Sequence, residues 1–309
     1  MLSKASKEHR LVIPVSFSLI ENGRVTILIK NEYKLELLKQ GILNPRQLIT
    51  GSRTSDHNQL RGRGPLSSIP LEEKRGVRMV GKHCMRGGLI RYLTSDIFWA
   101  GNRPFEEMIA NRAILGRGIK TAEIIAAAQQ RLFGPFYRGY LFSRELSGCV
   151  DLITYFDAIR KRTPEQRYRA KAHIFEAVAA AFTAMHRCGI YHGDLHLKNV
   201  LIRPGNAAVP PEVYLIDFDK AVLKAQLSPR EKIRNLVRFN RSIEKYRFYG
   251  GGITSTDQLK LCRAYLKGNS DVEPLLLKAM KRYRLMVRLR RLTWGVRTRG
   301  MSKDSHALP

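Results

Sequence analysis

The sequence predicts an α+β fold with a smaller β-rich N-terminal part and a larger helical C-terminal part. In the first part, residues 11–20 and 24–30 favour a hairpin with Asn-Gly in its turn. In the second, residues 164–188 carry apolar side chains at helical spacing on one face. The 309 residues suffice for a sizeable core, and we expect domains at 1–146 and 147–309.

Turn and capping signals place the other elements. The helix at 164–188 begins with a T-x-x-Q capping box at Thr163, has Pro164 in its first turn, and stops at Gly189. Start and stop signals of this kind predict further elements. In chain order they are a helix at 31–40, a strand at 77–84, a helix at 104–115, strands at 200–203 and 213–217, and a helix that begins after Ser228.

The composition is globular but strongly basic. Lysine and arginine number 55 against 26 acidic residues, a net charge of +29. Such a surface attracts polyanions, and nucleic acid, anionic lipid and phosphorylated glycolipid all qualify. The sequence has no long apolar run and no signal-peptide pattern, so we expect no membrane span. Its four cysteines lack metal-ligand spacing, which favours free thiols in a reducing cytosol.

Three polar residues lie in two short turns beside apolar runs. Asp194 and Asn199 are five residues apart, and Asp217 follows eighteen residues later. A carboxylate that accepts a hydroxyl proton, together with one amide and one carboxylate that hold Mg²⁺, is the equipment for transferring a phosphoryl group from ATP. Each residue alone could be an ordinary turn residue, but the joint spacing favours the catalytic interpretation.

The pattern His192-x-Asp194-x-x-x-x-Asn199, followed by Asp217-Phe218-Asp219, resembles the protein-kinase-like superfamily. Within it, the chain looks like the lipopolysaccharide core kinases, most closely the Kdo kinase group, over roughly residues 55–250. The resemblance implies a protein-kinase-like bilobal fold, ATP and Mg²⁺ as cofactors, and a sugar hydroxyl as acceptor.

The C-terminal motif assigns roles to five residues. Asp194 is the predicted catalytic base, and Asn199 and Asp217 are the predicted Mg²⁺ ligands. His196 and Lys198 lie inside the loop, and either could neutralise the γ-phosphate during transfer. The alternative for these two is a pair of solvated loop charges.

The N-terminal half holds the predicted nucleotide contacts. Gly62 and Gly64 flank an arginine in a turn where backbone amides could approach the ATP phosphates. Lys82 lies in the predicted strand at 77–84, where a lysine would pair with the phosphates, and Glu107 is its candidate partner. Glu106 is the neighbouring alternative to Glu107, and Lys82 could instead be a surface lysine. The two glycines could equally belong to an ordinary turn.

Residues 121–146 contain conflicting signals. An alanine-rich start favours a helix, whereas Gly134-Pro135 followed by an aromatic-rich run favours two strands around a turn. The kinase resemblance favours strands, and we adopt that interpretation.

The segment after the second motif is short. About ten residues separate Asp219 from the helix at Ser228, and no A-P-E triplet follows. A protein kinase needs a longer segment to seat a peptide, so the sequence favours a non-peptide acceptor.

Residues 281–299 hold eight basic residues and no acidic one, mixed with leucines and Trp294. An interfacial helix of this composition would bind an anionic membrane surface. A core-packed helix with a solvated basic face is the alternative. Nucleic acid is a weaker candidate, since no recognised binding module accompanies the charge.

Together these observations predict an ATP-dependent kinase that phosphorylates Kdo or heptose of the lipid A-core, an anionic glycolipid. We expect it on the cytoplasmic face of the bacterial inner membrane. Two alternatives stay open: another small-molecule or protein kinase, and a non-catalytic scaffold that binds polyanions. The sequence does not indicate the oligomeric state.

Overall fold

The protein divides into two compact units, residues 1–147 (unit 1) and 148–309 (unit 2). The structure is a computed structural model that describes residues 13–51, 67–72, 76–85, 96–205, 209–276 and 278–279.

Unit 1 is built on an antiparallel sheet in the order β1-β2-β6-β7-β4-β3, with β5 paired to β7 beyond the end of β4. The strands are β1 Phe17–Asn22, β2 Val25–Lys30, β3 Ser67–Glu72, β4 Val77–His83, β5 Ile97–Trp99, β6 Ile124–Arg131 and β7 Phe136–Arg144.

Both faces of this sheet are covered by apolar side chains. Because alternate residues of a strand face opposite sides, Ile27 and Ile29 of β2 enter one core cluster and Leu28 enters the other. Two short helices, α1 Lys34–Lys39 and α2 Pro45–Gly51, contribute to the first cluster. This double burial explains why β2 is an almost continuous apolar run.

The third helix, α3 Arg103–Gly116, covers the second face through Phe105 and Met108. Its buried Asn111 joins it to the start of β6. The side-chain amide donates to the Ala122 carbonyl at 3.0 Å and accepts from the Ile124 N–H at 2.9 Å. These two hydrogen bonds fix the position of α3 relative to the start of β6.

Unit 2 is mostly helical. Its helices are α4 Leu152–Ile159, α5 Pro164–Arg187, α6 Pro229–Phe248 and α7 Ser255–Leu266. Capping boxes begin three of them, with Thr163, Ser228 and Thr254 as the N-caps of α5, α6 and α7.

Aromatic pairs hold these helices together. Phe175 of α5 stacks on Phe156 of α4 at 5.3 Å between centroids, and Phe182 meets Phe239 of α6 edge-on at 4.9 Å. Burying each such ring contributes roughly 2–3 kcal/mol. Farther along α5, the Nδ1 of His186 lies 2.7 Å from the hydroxyl of Tyr265 in α7.

Five short strands complete unit 2: β8 Val150–Asp151, β9 Ile190–Tyr191, β10 Val200–Arg203, β11 Glu212–Leu215 and β12 Val222–Leu223. They form two antiparallel sheets, β11-β10-β8 and β12-β9.

The α+β prediction is confirmed, and residues 121–146 do form two strands, β6 and β7. The strand predicted over 213–217 is too long at its end, because β11 stops at Leu215 and Asp217 takes a left-handed φ of 66°. All four cysteines are free thiols. None of the described helices combines the length and apolar character that a bilayer crossing requires.

Candidate active site

Two antiparallel strand pairs bring the motif turns of unit 2 together. Strand β9 runs into the loop at 192–199, and β10 leaves it; β11 runs into the turn at 216–221, and β12 leaves it. Since β9 pairs with β12 and β10 with β11, loop and turn are each anchored at both ends. The Ile216 N–H also donates to the Asn199 carbonyl at 3.0 Å.

Loop and turn touch at Gly193. Its φ is 75°, and a Cβ there would lie 2.3 Å from the backbone oxygen of Lys220. A side chain would therefore be both strained and in collision with the backbone of the turn. Glycine lets the loop pass close enough for the next residue, Asp194, to meet the turn.

The Asp194 carboxylate is almost completely buried, at 3% exposure, and contacts two cations. Lys220 donates from Nζ to Oδ2 at 2.9 Å. Arg238, on α6, donates from Nε to Oδ1 at 2.9 Å, and its Nη2 contacts the same oxygen. Burial raises the pKa of Asp194, but the bonds from Lys220 and Arg238 outweigh it and lower that pKa to about 2.

His192 supports the loop from inside. Its ring is fully buried and lies 4.6 Å from the ring of Phe218. The Asp194 N–H donates to Nδ1 at 3.4 Å, and Nε2 lies 3.1 Å from the Ile216 carbonyl, to which a protonated Nε2 donates. Burial lowers the pKa of His192 to about 4, so the ring is neutral near neutrality. A neutral ring with both nitrogens engaged acts as a bridge between loop and turn.

Asn199 and Asp217 offer the oxygen atoms suited to a magnesium ion. The Asn199 amide nitrogen donates to the Asp194 carbonyl at 3.0 Å, so the amide oxygen is the atom left for a ligand. Asp217 is exposed and follows Ile216, which is bonded to Asn199. Among the described residues no group of three or more His, Cys, Asp or Glu could hold a metal. Magnesium requires fewer protein ligands, because phosphate oxygens and water complete its shell.

His196 and Lys198 are half-buried within the loop, where the His196 carbonyl accepts from the Asn199 N–H at 2.9 Å. Their predicted roles toward the γ-phosphate stay predictions. The cations that contact the Asp194 carboxylate are instead Lys220 and Arg238, which sequence reasoning did not assign. Lys220 directly follows Asp217-Phe218-Asp219, which was a usable signal, whereas Arg238 lies on a helix 44 residues away and gave none.

In unit 1 the structure brings Lys82 and Glu107 together. Lys82, on β4, places Nζ 3.1 Å from Oε1 of Glu107, on α3. The Glu107 side chain is 8% exposed, which limits solvent screening of the pair. Gly62 and Gly64, the other predicted nucleotide contacts, lie outside the described residues.

The sequence model of the lipopolysaccharide kinase (Kdo/WaaP) family matches residues 56–265, more than half of the chain. The chain belongs to this family. A 3-deoxy-D-manno-octulosonic acid kinase of Vibrio vulnificus (strain YJ016) is 29% identical over 170 residues, which are 54% of this chain and 65% of that protein. Thus the chain spans slightly under two thirds of that relative's length. One from Xylella fastidiosa (strain M23) is 30% identical over 191 residues, 58% of this chain and 68% of that protein.

Among solved structures, WaaP in complex with acyl carrier protein matches with a TM-score of 0.51 and 21% identity. The match covers 81% of this chain and 96% of that one. At this identity the likeness shows the fold, which is the kinase-like α+β fold that the motifs predicted.

The close approach at Gly193 predicts an unequal cost of two alanine substitutions. Gly250 also has a positive φ, 84°, but a Cβ there would meet nothing within 4 Å. Gly250→Ala should therefore cost only the left-handed strain, about 1–2 kcal/mol. Gly193→Ala should cost clearly more in the free energy of unfolding measured by urea denaturation. Equal costs would contradict the contact with Lys220.

Two buried histidines predict acid sensitivity. Burial lowers the pKa of His186 to about 3 and of His192 to about 4, whereas unfolded histidine titrates at about 6.5. Below about pH 6.5 the unfolded state binds protons that the folded state excludes, so stability falls until the folded pKa is reached. Each histidine should lower the free energy of unfolding by roughly 2 kcal/mol between about pH 7 and about pH 5.

Chemical denaturation at both pH values checks this expectation. His186→Gln should remove about half of the contribution that His186 and His192 make together. His173→Gln, at an exposed position on the same helix, is the matched control for the substitution itself. The same pH dependence in all three proteins would contradict the account.

Proposed function

We propose that this protein transfers the γ-phosphoryl group of ATP to a hydroxyl of Kdo or heptose in the lipid A-core. Family membership supports the reaction and acceptor class. The observation that carries the proposal is the Asp194 carboxylate, buried beside Asn199 and the Asp217 turn and kept ionised by two cations.

The hydrogen bonds of Asp194 indicate where the acceptor hydroxyl binds. A carboxylate oxygen accepts about two hydrogen bonds. Oδ1 takes two from Arg238, whereas Oδ2 takes one from Lys220. We therefore expect the acceptor hydroxyl to donate to Oδ2. There Asp194 orients the hydroxyl oxygen toward phosphorus and accepts its proton late, as suits the loose transition state of phosphoryl transfer.

Other residues of the chain hold the nucleotide in this proposal. Lys82, oriented by Glu107, binds ATP phosphate oxygens, and Gly62 and Gly64 offer backbone amides to the phosphates. The Asn199 amide oxygen and the Asp217 carboxylate hold Mg²⁺, which when bound offsets phosphate charge. His196 and Lys198 supply positive charge beside the loop when protonated.

We also propose that the protein acts at the inner face of the bacterial inner membrane. The acceptor is an anionic glycolipid, and the net charge of +29 favours anionic surfaces. The basic segment 281–299 was the predicted contact, and it lies outside the described residues.

Replacing Asp194 by Asn tests the reaction. With purified lipid A-core acceptor and labelled ATP, Asp194→Asn should lower kcat by about 100-fold or more, because the group that orients and deprotonates the hydroxyl is lost. Asp271→Asn, an exposed partner of Lys232, should leave kcat unchanged. Transfer only to an aminoglycoside or peptide would favour another kinase class. No transfer by the wild type to any acceptor would favour a polyanion-binding scaffold.

The role of Arg238 is tested by the pH profile of kcat/KM. In Arg238→Met, burial of Asp194 is opposed by Lys220 alone, so its pKa should rise above the wild-type value of about 2. The ratio of variant to wild-type kcat/KM should then fall as the pH is lowered toward that raised pKa, in a profile taken from about pH 7 down to about pH 4.

Arg234→Met is the matched control, since Arg234 is exposed one turn earlier on α6. Its kcat/KM should follow the wild-type profile. A ratio for Arg238→Met that does not change with pH would leave Arg238 with only a structural role.

A further inference from the structure

Three aromatic side chains cluster at one end of the unit 1 sheet. Trp99 ends β5, and Phe133 and Phe136 lie in and after the β6–β7 turn. The Trp99 and Phe136 rings meet edge-on at 5.1 Å, and Phe133 lies 4.8 Å from Phe136. Trp99 is 63% exposed and Phe133 67%. We call these three residues the aromatic tip.

Strand alternation explains why the Trp99 ring is exposed and the Phe136 ring only half-buried. Phe98 and Tyr137, the neighbours of Trp99 and Phe136, stack at 5.5 Å and belong to the core. Trp99 and Phe136 therefore face the opposite side of the sheet, beyond the covered region. Exposed apolar clusters of this kind mark interaction sites, because leaving them in water is unfavourable.

The backbone holds the aromatic tip in a fixed arrangement. Trp99 is in register with Phe136, and the Ala100 N–H donates to the Pro135 carbonyl at 2.9 Å. Across the turn, the Leu132 N–H donates to the Phe136 carbonyl at 2.9 Å. The rings are thus presented by a hydrogen-bonded hairpin end, so binding would cost little ordering.

Arginines lie beside the aromatic tip. Arg24, in the adjacent β1–β2 turn, donates from Nη1 to the Leu132 carbonyl at 3.2 Å. Arg131 is exposed, and its N–H bonds to the Arg24 carbonyl at 2.8 Å. Of the nearby acids, Asp96 is paired with Arg138 at 2.7 Å, and Glu21 is exposed on β1. The net charge of these side chains beside the aromatic tip is therefore positive.

We propose that the aromatic tip is a membrane-docking element that inserts into the headgroup region of an anionic bilayer. Tryptophan and phenylalanine beside arginine are the residue types that enter this region, and the arginines would pair with lipid phosphates. A hairpin end offers a few protruding rings, which suits insertion between headgroups better than the broad patch of a stable protein interface. The inference depends on the proposed function only for the type of membrane.

The chain allows a direct spectroscopic test, because its two tryptophans are Trp99 and Trp294. In Trp294→Phe, all tryptophan emission reports on Trp99. Phosphatidylcholine vesicles with about one third phosphatidylglycerol should shift this emission to the blue. Brominated lipids should quench it, and pure phosphatidylcholine should have a smaller effect. Unshifted, unquenched emission on vesicle-bound protein would overturn the proposal, with residues 281–299 or another surface then the contact.

Vesicle sedimentation supplies the second readout. The double variant Trp99→Ser/Phe133→Ser should bind the anionic vesicles about tenfold more weakly than wild type. The matched double variant Leu35→Ser/Leu259→Ser removes two other exposed apolar side chains, at 75% and 44% exposure, and should bind like wild type. Equal binding by the tip variant and the wild type would contradict the proposal. The aromatic tip would then be better explained as a contact site for a protein partner.

A kinase assay separates this inference from the proposed function. With a deacylated, water-soluble acceptor, the tip variant should keep wild-type kcat, while transfer to acceptor in vesicles should fall. If no acceptor is phosphorylated by any variant but Trp99 still enters vesicles, the proposed reaction fails and the docking element stands. Loss of activity on the soluble acceptor would show that the aromatic tip is needed for a correctly folded protein, which would contradict a role in docking alone.

Discussion

The contacts of the Asp194 carboxylate with Lys220 and Arg238 organise the site in unit 2. They join three separate pieces of chain: the 192–199 loop, the turn after β11, and helix α6. A buried carboxylate without these cations would favour its neutral form, because burial disfavours charge. With them it stays ionised, and its position is fixed from two sides. The proposed phosphoryl transfer depends on both properties.

The rest of the site follows from bringing loop and turn so close together. Gly193 permits this approach because it has no side chain. The buried His192 ring contacts the turn at the Ile216 carbonyl, and the Asn199 amide nitrogen donates to the Asp194 carbonyl. Because Asp194 is already engaged by two cations, a metal ion would gain little from it. We therefore propose a division of roles in which Asp194 binds the acceptor hydroxyl and Asn199 and Asp217 hold the metal.

Local signals predicted helices α3, α5 and α6, whose caps and prolines lie within a few residues of their starts. The spacing of Asp194, Asn199 and Asp217 indicated the motif, and the resemblance resolved the conflict at 121–146, the first part of which propensity alone would have made helical. Arg238 was missed because only tertiary packing brings α6 to Asp194. The aromatic tip was missed because sequence does not distinguish exposed Trp99 from buried Phe98. Both depend on contacts between distant segments, which no local pattern encodes.

The most direct test of this division is anomalous diffraction from crystals grown with Mn²⁺ and a non-hydrolysable ATP analogue. We expect a manganese peak liganded by the Asn199 amide oxygen and an Asp217 carboxylate oxygen. Asp194 should keep its bonds to Lys220 and Arg238 outside the metal shell. A metal held elsewhere, or Asp194 drawn into the shell with both cations displaced, would contradict the account.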